Sequence, residues 1–182
     1  SSTGGPAALR HLLAALPAEP NTAGVIVQHM PATFTNSLAA HLDEISGWSV
    51  REAAPGNRLE CGQILLAPGG QHLIYTQRSG VCLTDDPPVN NVRPAVDVTM
   101  QSLAREYGER LLGVVLTGMG RDGTAGALAI KAAGGRVIAE AESSCVVYGM
   151  PRSVVEAGAA DYVAPLPEIS RLVYRLLAGN AP

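Results

Sequence analysis

The sequence predicts an α/β fold: a mostly parallel, doubly wound sheet with helices on both faces and a small antiparallel hairpin. Three observations lead there. Short apolar runs alternate with helical stripes through most of the chain. Residues 24–27 and 111–116 are continuous β-branched or aliphatic runs, the pattern of strands buried on both faces. Between them, residues 72–77 and 81–85 flank Arg78-Ser79-Gly80, a hairpin pattern.

The elements follow in order. Leu9, Leu12, Leu13 and Leu16 repeat at i, i+3, i+4 and i+7, so residues 6–16 form an amphipathic helix between Pro6 and Pro17. Residues 24–27 form the first buried strand. Thr33 is placed to cap a helix carrying Phe34, Leu38, Leu42 and Ile45. Residues 50–53 read as a short strand and 64–67 as another, stopped by Pro68-Gly69-Gly70. After the hairpin, the prolines and asparagines of 86–94 read as a loop, and 96–107 as a helix. Residues 111–116 are a buried strand, 124–133 a helix ending at Gly134-Gly135, and 136–141 a strand. Pro151 opens a helix that Gly158 stops. Residues 162–164 and the stretch to Leu177 complete a strand and a helix. With no repeat or linker among the 182 residues, the reading is one domain over 1–182.

Composition excludes several classes. The chain is 47% hydrophobic and carries a net charge of −3, with no basic stripe of the kind that tracks nucleic acid. Lys131 is its single lysine. Cys61, Cys82 and Cys145 are odd in number and lack a Cys-x-x-Cys pair, which argues against a disulfide framework or a zinc site. No apolar run approaches the roughly 18 residues that span a bilayer. With no signal-peptide pattern, the expected location is cytoplasmic.

Open parallel sheets bind ligands beyond the carboxyl ends of their strands, and three loops stand out on that rule. Ser1-Ser2-Thr3-Gly4-Gly5 opens a helix, where free backbone N–H groups and the positive end of the dipole favour an oxyanion. Gln28-His29-Met30-Pro31 follows the first strand, and a histidine there suits a general base. Thr117-Gly118-Met119-Gly120-Arg121-Asp122-Gly123 follows the 111–116 strand, and Asp122 suits the group that orients the histidine. Ser2, His29 and Asp122 thus form a candidate catalytic triad at one sheet edge. Thr3, Gly4, Met30, Met119 and Gly120 are candidates to contact substrate or the oxyanion. Each loop alone also fits a plainer role: a helix cap for Ser2 or Asp122, a loop-end histidine for His29. His11, His41 and His72 read as structural or solvated, and Cys145 as packing.

Five stretches together resemble a known family, the chemoreceptor protein-glutamate methylesterases of the CheB type. They are Ser2-Thr3-Gly4-Gly5; Gln28-His29-Met30-Pro31; Pro87-Pro88-Val89-Asn90 with Arg93-Pro94-Ala95-Val96-Asp97; Leu116-Thr117-Gly118-Met119-Gly120 with Asp122-Gly123; and 144–152 from Ser144-Cys145 to Pro151-Arg152. The resemblance runs nearly end to end. It implies a triad on Ser2, His29 and Asp122, no metal and no organic cofactor. It implies demethylation of glutamyl methyl esters on the cytoplasmic helices of methyl-accepting chemoreceptors, with release of methanol, and deamidation of glutamines in many members. It also implies a strand ahead of the serine turn, which these residues lack. Many members carry an N-terminal receiver domain; none is read here, because Lys131 lies near no acidic phosphate-site cluster. The competing expectations are a serine esterase or amidase on another substrate, and a catalytically silent receptor-docking module.

Overall fold

The leucine stripe at residues 9, 12, 13 and 16 becomes the buried side of the first helix, and the rest of the alternation follows. The computed structural model describes residues 1–19 and 21–179. The first half runs α1 (Gly5–Ala15), β1 (Gly24–Ile26), α2 (Ala32–Ile45), β2 (Ser49–Glu52), β3 (Gln63–Leu66), β4 (His72–Thr76) and β5 (Gly80–Thr84). The second half runs α3 (Val96–Tyr107), β6 (Leu112–Val115), α4 (Thr124–Ala132), β7 (Arg136–Glu140), α5 (Gly149–Glu156), β8 (Tyr162–Ala164) and α6 (Leu166–Leu177). Single 3-10 turns at Gly108–Arg110 and Glu142–Ser144 have no counterpart in the sequence reading.

The α/β class, parallel pairing and small antiparallel hairpin are as expected. The sheet is not one continuous ladder, however. Parallel strands in the order β1-β3-β2 form one sheet, and β6-β7-β8 form another, with β4-β5 as the hairpin. β1 and β6 flank a cavity of about 700 Å³, lined by Gly24 to Val27 on one side and Leu111 to Val114 on the other. This seam corrects the burial expected for the two β-branched runs. Val25, Ile26, Leu112 and Val114 are only half-buried, because their free edges border the cavity. Burial on both faces belongs instead to the middle strands β3 and β7. In β7, Ile138 enters the core shared with α1, α2 and α6, while Val137 and Ala139 enter the core under α3, α4 and α5. In β3, Ile64 and Leu66 face the first core and Leu65 a third one beneath the hairpin.

Two boundaries also differ. Pro31, not Thr33, occupies the cap position of α2, and Thr33 is exposed in its first turn with no capping bond; proline's fixed φ already suits a helix entry. Pro151 lies third in α5, where the first turn still requires no N–H from it.

Ile138 has no exposed surface. Ile138→Ala is expected to destabilise the fold by about 2–5 kcal/mol, read as a lower urea midpoint with little change in slope.

Candidate active site

Residues 1 and 2 form an extended link across the carboxyl ends of β1 and β6. Ser1 N–H donates to Val27 O at 3.0 Å, and His29 N–H donates back to Ser1 O at 3.0 Å. On the other side Ser2 N–H donates to Thr117 O, also at 3.0 Å. The chain then turns into α1 through Gly4, whose φ of 82° lies in the left-handed region. A side chain is excluded there for space as well: a Cβ would sit 2.7 Å from Val146 Cβ.

Gln28 ties the serine and histidine loops together. It is 2% exposed, and its Nε2 donates to both Ser2 O and His29 O, at 2.9 and 3.0 Å. Its Oε1 accepts from the Ser1 hydroxyl at 2.7 Å. Thr117 does the same for the serine and Asp122 loops. Its hydroxyl donates to Thr3 O at 2.9 Å and accepts from Val147 N–H at 2.9 Å. Its own N–H donates at 2.8 Å to Glu140 Oε2, a carboxylate with no exposed surface.

His29 Nε2–H donates to Asp122 Oδ2 at 2.7 Å, with the imidazole side chain 10% exposed and the carboxylate 3%. That bond leaves Nδ1 as the ring nitrogen free to accept a proton. Among the described residues, the Ser2 hydroxyl makes no hydrogen bond to the His29 ring, although the backbone bonds above hold the two loops side by side. Asp122 accepts on both oxygens. Oδ2 also takes Val96 N–H at 2.6 Å, and Oδ1 takes Asp97 N–H at 3.0 Å and Asn90 Nδ2 at 3.1 Å. Burial by itself raises its carboxyl, but bonds from His29, Asp97 N–H and Val96 N–H outweigh it and hold the carboxyl below its ordinary value. Asp122 is therefore ionised beside an imidazole.

Asp97 behaves oppositely. Desolvation raises its carboxyl, and the nearby Asp122 adds to the rise against hydrogen bonds that lower it. The linkage signs differ accordingly. A depressed Asp122 adds stability above its ordinary value of 3.8, and that stability is lost as pH falls through the folded value. A raised Asp97 adds stability below 3.8 that is lost as pH climbs through its folded value. Asp122→Asn should flatten the acid-side loss of stability, and Asp97→Asn the loss on the higher-pH side, both read by urea midpoints from about pH 3 to pH 7.

The remaining candidates separate by placement. Met119 is 69% exposed on the loop rim, beside Gly120, whose φ is 87°. Thr3 is exposed and Gly4 sits at the mouth of α1. Met30 instead packs against the first core. Cys145 is not available as a thiolate: burial, with Glu140 next, pushes its thiol up to about 12. His72, 1% exposed, holds the 85–95 loop by accepting Ala95 N–H at its Nδ1 and meeting Pro87 O with its Nε2. Among the described residues, no cluster of three His, Cys, Asp or Glu side chains could hold a metal, and no helix is long and apolar enough to cross a membrane.

Gln28, Thr117 and Glu140 were not singled out by sequence reasoning. Glu140 had a usable signal, since it too lies at the carboxyl end of a strand.

The family model for the CheB methylesterase matches residues 1–173. The chain belongs to the CheB methylesterase family. A protein-glutamate methylesterase/protein-glutamine glutaminase of Symbiobacterium thermophilum is 51% identical over 174 residues, which are 96% of this chain and 48% of that protein. A protein of the same description from Bordetella bronchiseptica is 49% identical over 181 residues, 97% of this chain and 51% of its own length. The crystal structure of the Thermotoga maritima CheB methylesterase catalytic domain superposes with a TM-score of 0.92 at 46% identity, covering 96% of this chain and 94% of that one. The chain spans about half the length of the curated CheB relatives it matches.

Proposed function

We propose that this chain is the catalytic domain of a protein-glutamate methylesterase and glutaminase acting on methyl-accepting chemoreceptor helices in the cytoplasm, through Ser2, His29 and Asp122. The observation that carries the reading is the bond from His29 Nε2 to Asp122 Oδ2, formed beside the Ser2 turn in a member of the CheB family.

In this mechanism His29 Nδ1 takes the Ser2 hydroxyl proton as Oγ attacks the ester carbonyl. Asp122 holds the ring in its Nε2–H form and stabilises the imidazolium. Backbone N–H groups at Thr3–Gly4 and Met119–Gly120 hold the oxyanion. The C–O bond to methoxide breaks, and His29 returns the proton so that methanol leaves. Water, deprotonated by His29, then attacks the acyl-enzyme and restores Ser2 with a glutamate product. A glutamine substrate follows the same path with ammonia leaving. The exposed apolar Met119 and Val146, on the two loops beside Ser2, suit contact with the apolar side of a receptor helix. The seam supports one further strand, parallel to β1 and β6 and leading into Ser1, and a receiver domain belongs to the proposal only for a longer protein.

The test is a fluorophosphonate probe followed by a methanol assay on methylated receptor. Labelling at Ser2 with methanol release supports the proposal. Labelling with turnover only of small esters favours another serine esterase, and no labelling favours a docking module.

A further inference from the structure

The loop before α3 makes a contact that the triad alone does not explain. Val89 and Val92 exchange N–H···O bonds of 3.2 and 3.0 Å, so Asn90 and Asn91 are the two-residue tip of a miniature hairpin. Both have positive φ, 53° and 64°, the pairing a type I′ turn needs and that asparagine tolerates. The tip turns the Asn90 amide inward. Its Nδ2 donates one hydrogen to Asp97 Oδ2 at 2.8 Å and the other to Asp122 Oδ1 at 3.1 Å. The other oxygen of Asp97 accepts Gly123 N–H and Gly126 N–H at the start of α4, at 2.9 and 2.7 Å. Asp97 and Asp122 are both buried, so a neutral donor shared between them offsets their repulsion.

We infer that Asn90 is a positioning residue for the reaction: by bridging the two buried carboxylates it keeps Asp122 aimed at His29 Nε2 and able to hold the imidazolium. The inference rests on the proposed role of Asp122. The other charged groups facing the pair are the His29 ring and Arg121, the latter on the small cavity that Asn90 and Asp97 also line. Neither of them supplies a donor to Asp122 Oδ1.

Asn90→Gly tests this, because glycine keeps the left-handed turn and removes only the amide. Asn91→Gly is the matched control, since Asn91 is exposed at the same tip. Asn90→Gly is expected to lower kcat for methanol release about 10- to 100-fold with KM changed less than about twofold. It should also move the acid limb of the kcat/KM profile to lower pH, because a misaligned Asp122 holds the imidazolium less firmly. In 15N-histidine-labelled protein, the downfield Nε2 proton resonance of His29 should be lost in Asn90→Gly and kept in Asn91→Gly. An unchanged acid limb and resonance in Asn90→Gly overturn the inference. If that variant does not fold, Asn90→Ala, which also removes the amide without adding charge, is read the same way against Asn91→Ala, which carries the same positive-φ strain. If the wild-type protein releases no methanol, the methylesterase reading fails, yet the resonance still decides what Asn90 does.

Discussion

Ser2→Ala is expected to lower kcat for methanol release on the order of 10⁶-fold, the size of effect seen when a serine nucleophile is removed from a triad. Its stability should not change. Everything that anchors residue 2 is backbone: its N–H to Thr117 O, and its carbonyl to Gly5 N–H and Gln28 Nε2. Alanine keeps all three and loses only Oγ. The urea midpoint should therefore match the unsubstituted protein while fluorophosphonate labelling disappears. Some turnover above the uncatalysed rate should survive, because oxyanion donors and substrate binding do not depend on Oγ. Turnover within tenfold of the unsubstituted protein would move the nucleophile elsewhere.

Gly118→Ala should damage stability and turnover together. A Cβ at residue 118 would lie 2.3 Å from Met150 Sδ, 2.8 Å from Ser2 Cβ and 3.1 Å from Ser2 N. Met150 is fully buried and cannot swing into solvent. Ser2 is held from both sides, as above. Overpacking of this kind costs about 1–3 kcal/mol. Relief by pushing Ser2 out of line costs rate, about 100-fold for a displacement near 1 Å. The double substitution Gly118→Ala with Met150→Ala separates the two effects. Emptying the buried Met150 site itself costs about 2–5 kcal/mol, so the comparison is with Met150→Ala alone: in that background Gly118→Ala should lower the urea midpoint less than it does beside Met150, yet cost turnover nearly as much, because the contact with Ser2 Cβ remains. A single Gly118→Ala variant with normal kcat would show that the nucleophile loop yields more easily than its bonding implies.

Chain-local features were legible in the sequence, and cross-chain ones were not. The leucine stripe of α1 and the hairpin around Arg78-Ser79-Gly80 could be read because each pattern lies within a few residues. The positions of Ser2, His29 and Asp122 could be read because each follows a strand or opens a helix, and parallel topology gathers such ends. β1 and β6 have the composition of central strands, and the gap between them was legible only through the family resemblance, which implies a strand ahead of the serine turn. Whether their edges are paired depends on neighbours distant in sequence. Gln28, Thr117 and Glu140 were hidden for a similar reason. A buried polar side chain declares itself only when its partners are known, and those of Thr117 lie at residues 3, 140 and 147. Asp97 lies in the first turn of α3, where an acid needs no partner beyond the helix dipole. In fact it reaches across to another helix.

The segment that bears the nucleophile has a second use. His29 hangs from the end of β1 and Asp122 from the loop after β6, and among the described residues no ladder bond joins those two strands. Ser1 and Ser2 bond to both strand ends instead, to Val27 O and to Thr117 O. The two residues therefore act as a splice that sets the spacing between the loops carrying the imidazole and the carboxylate.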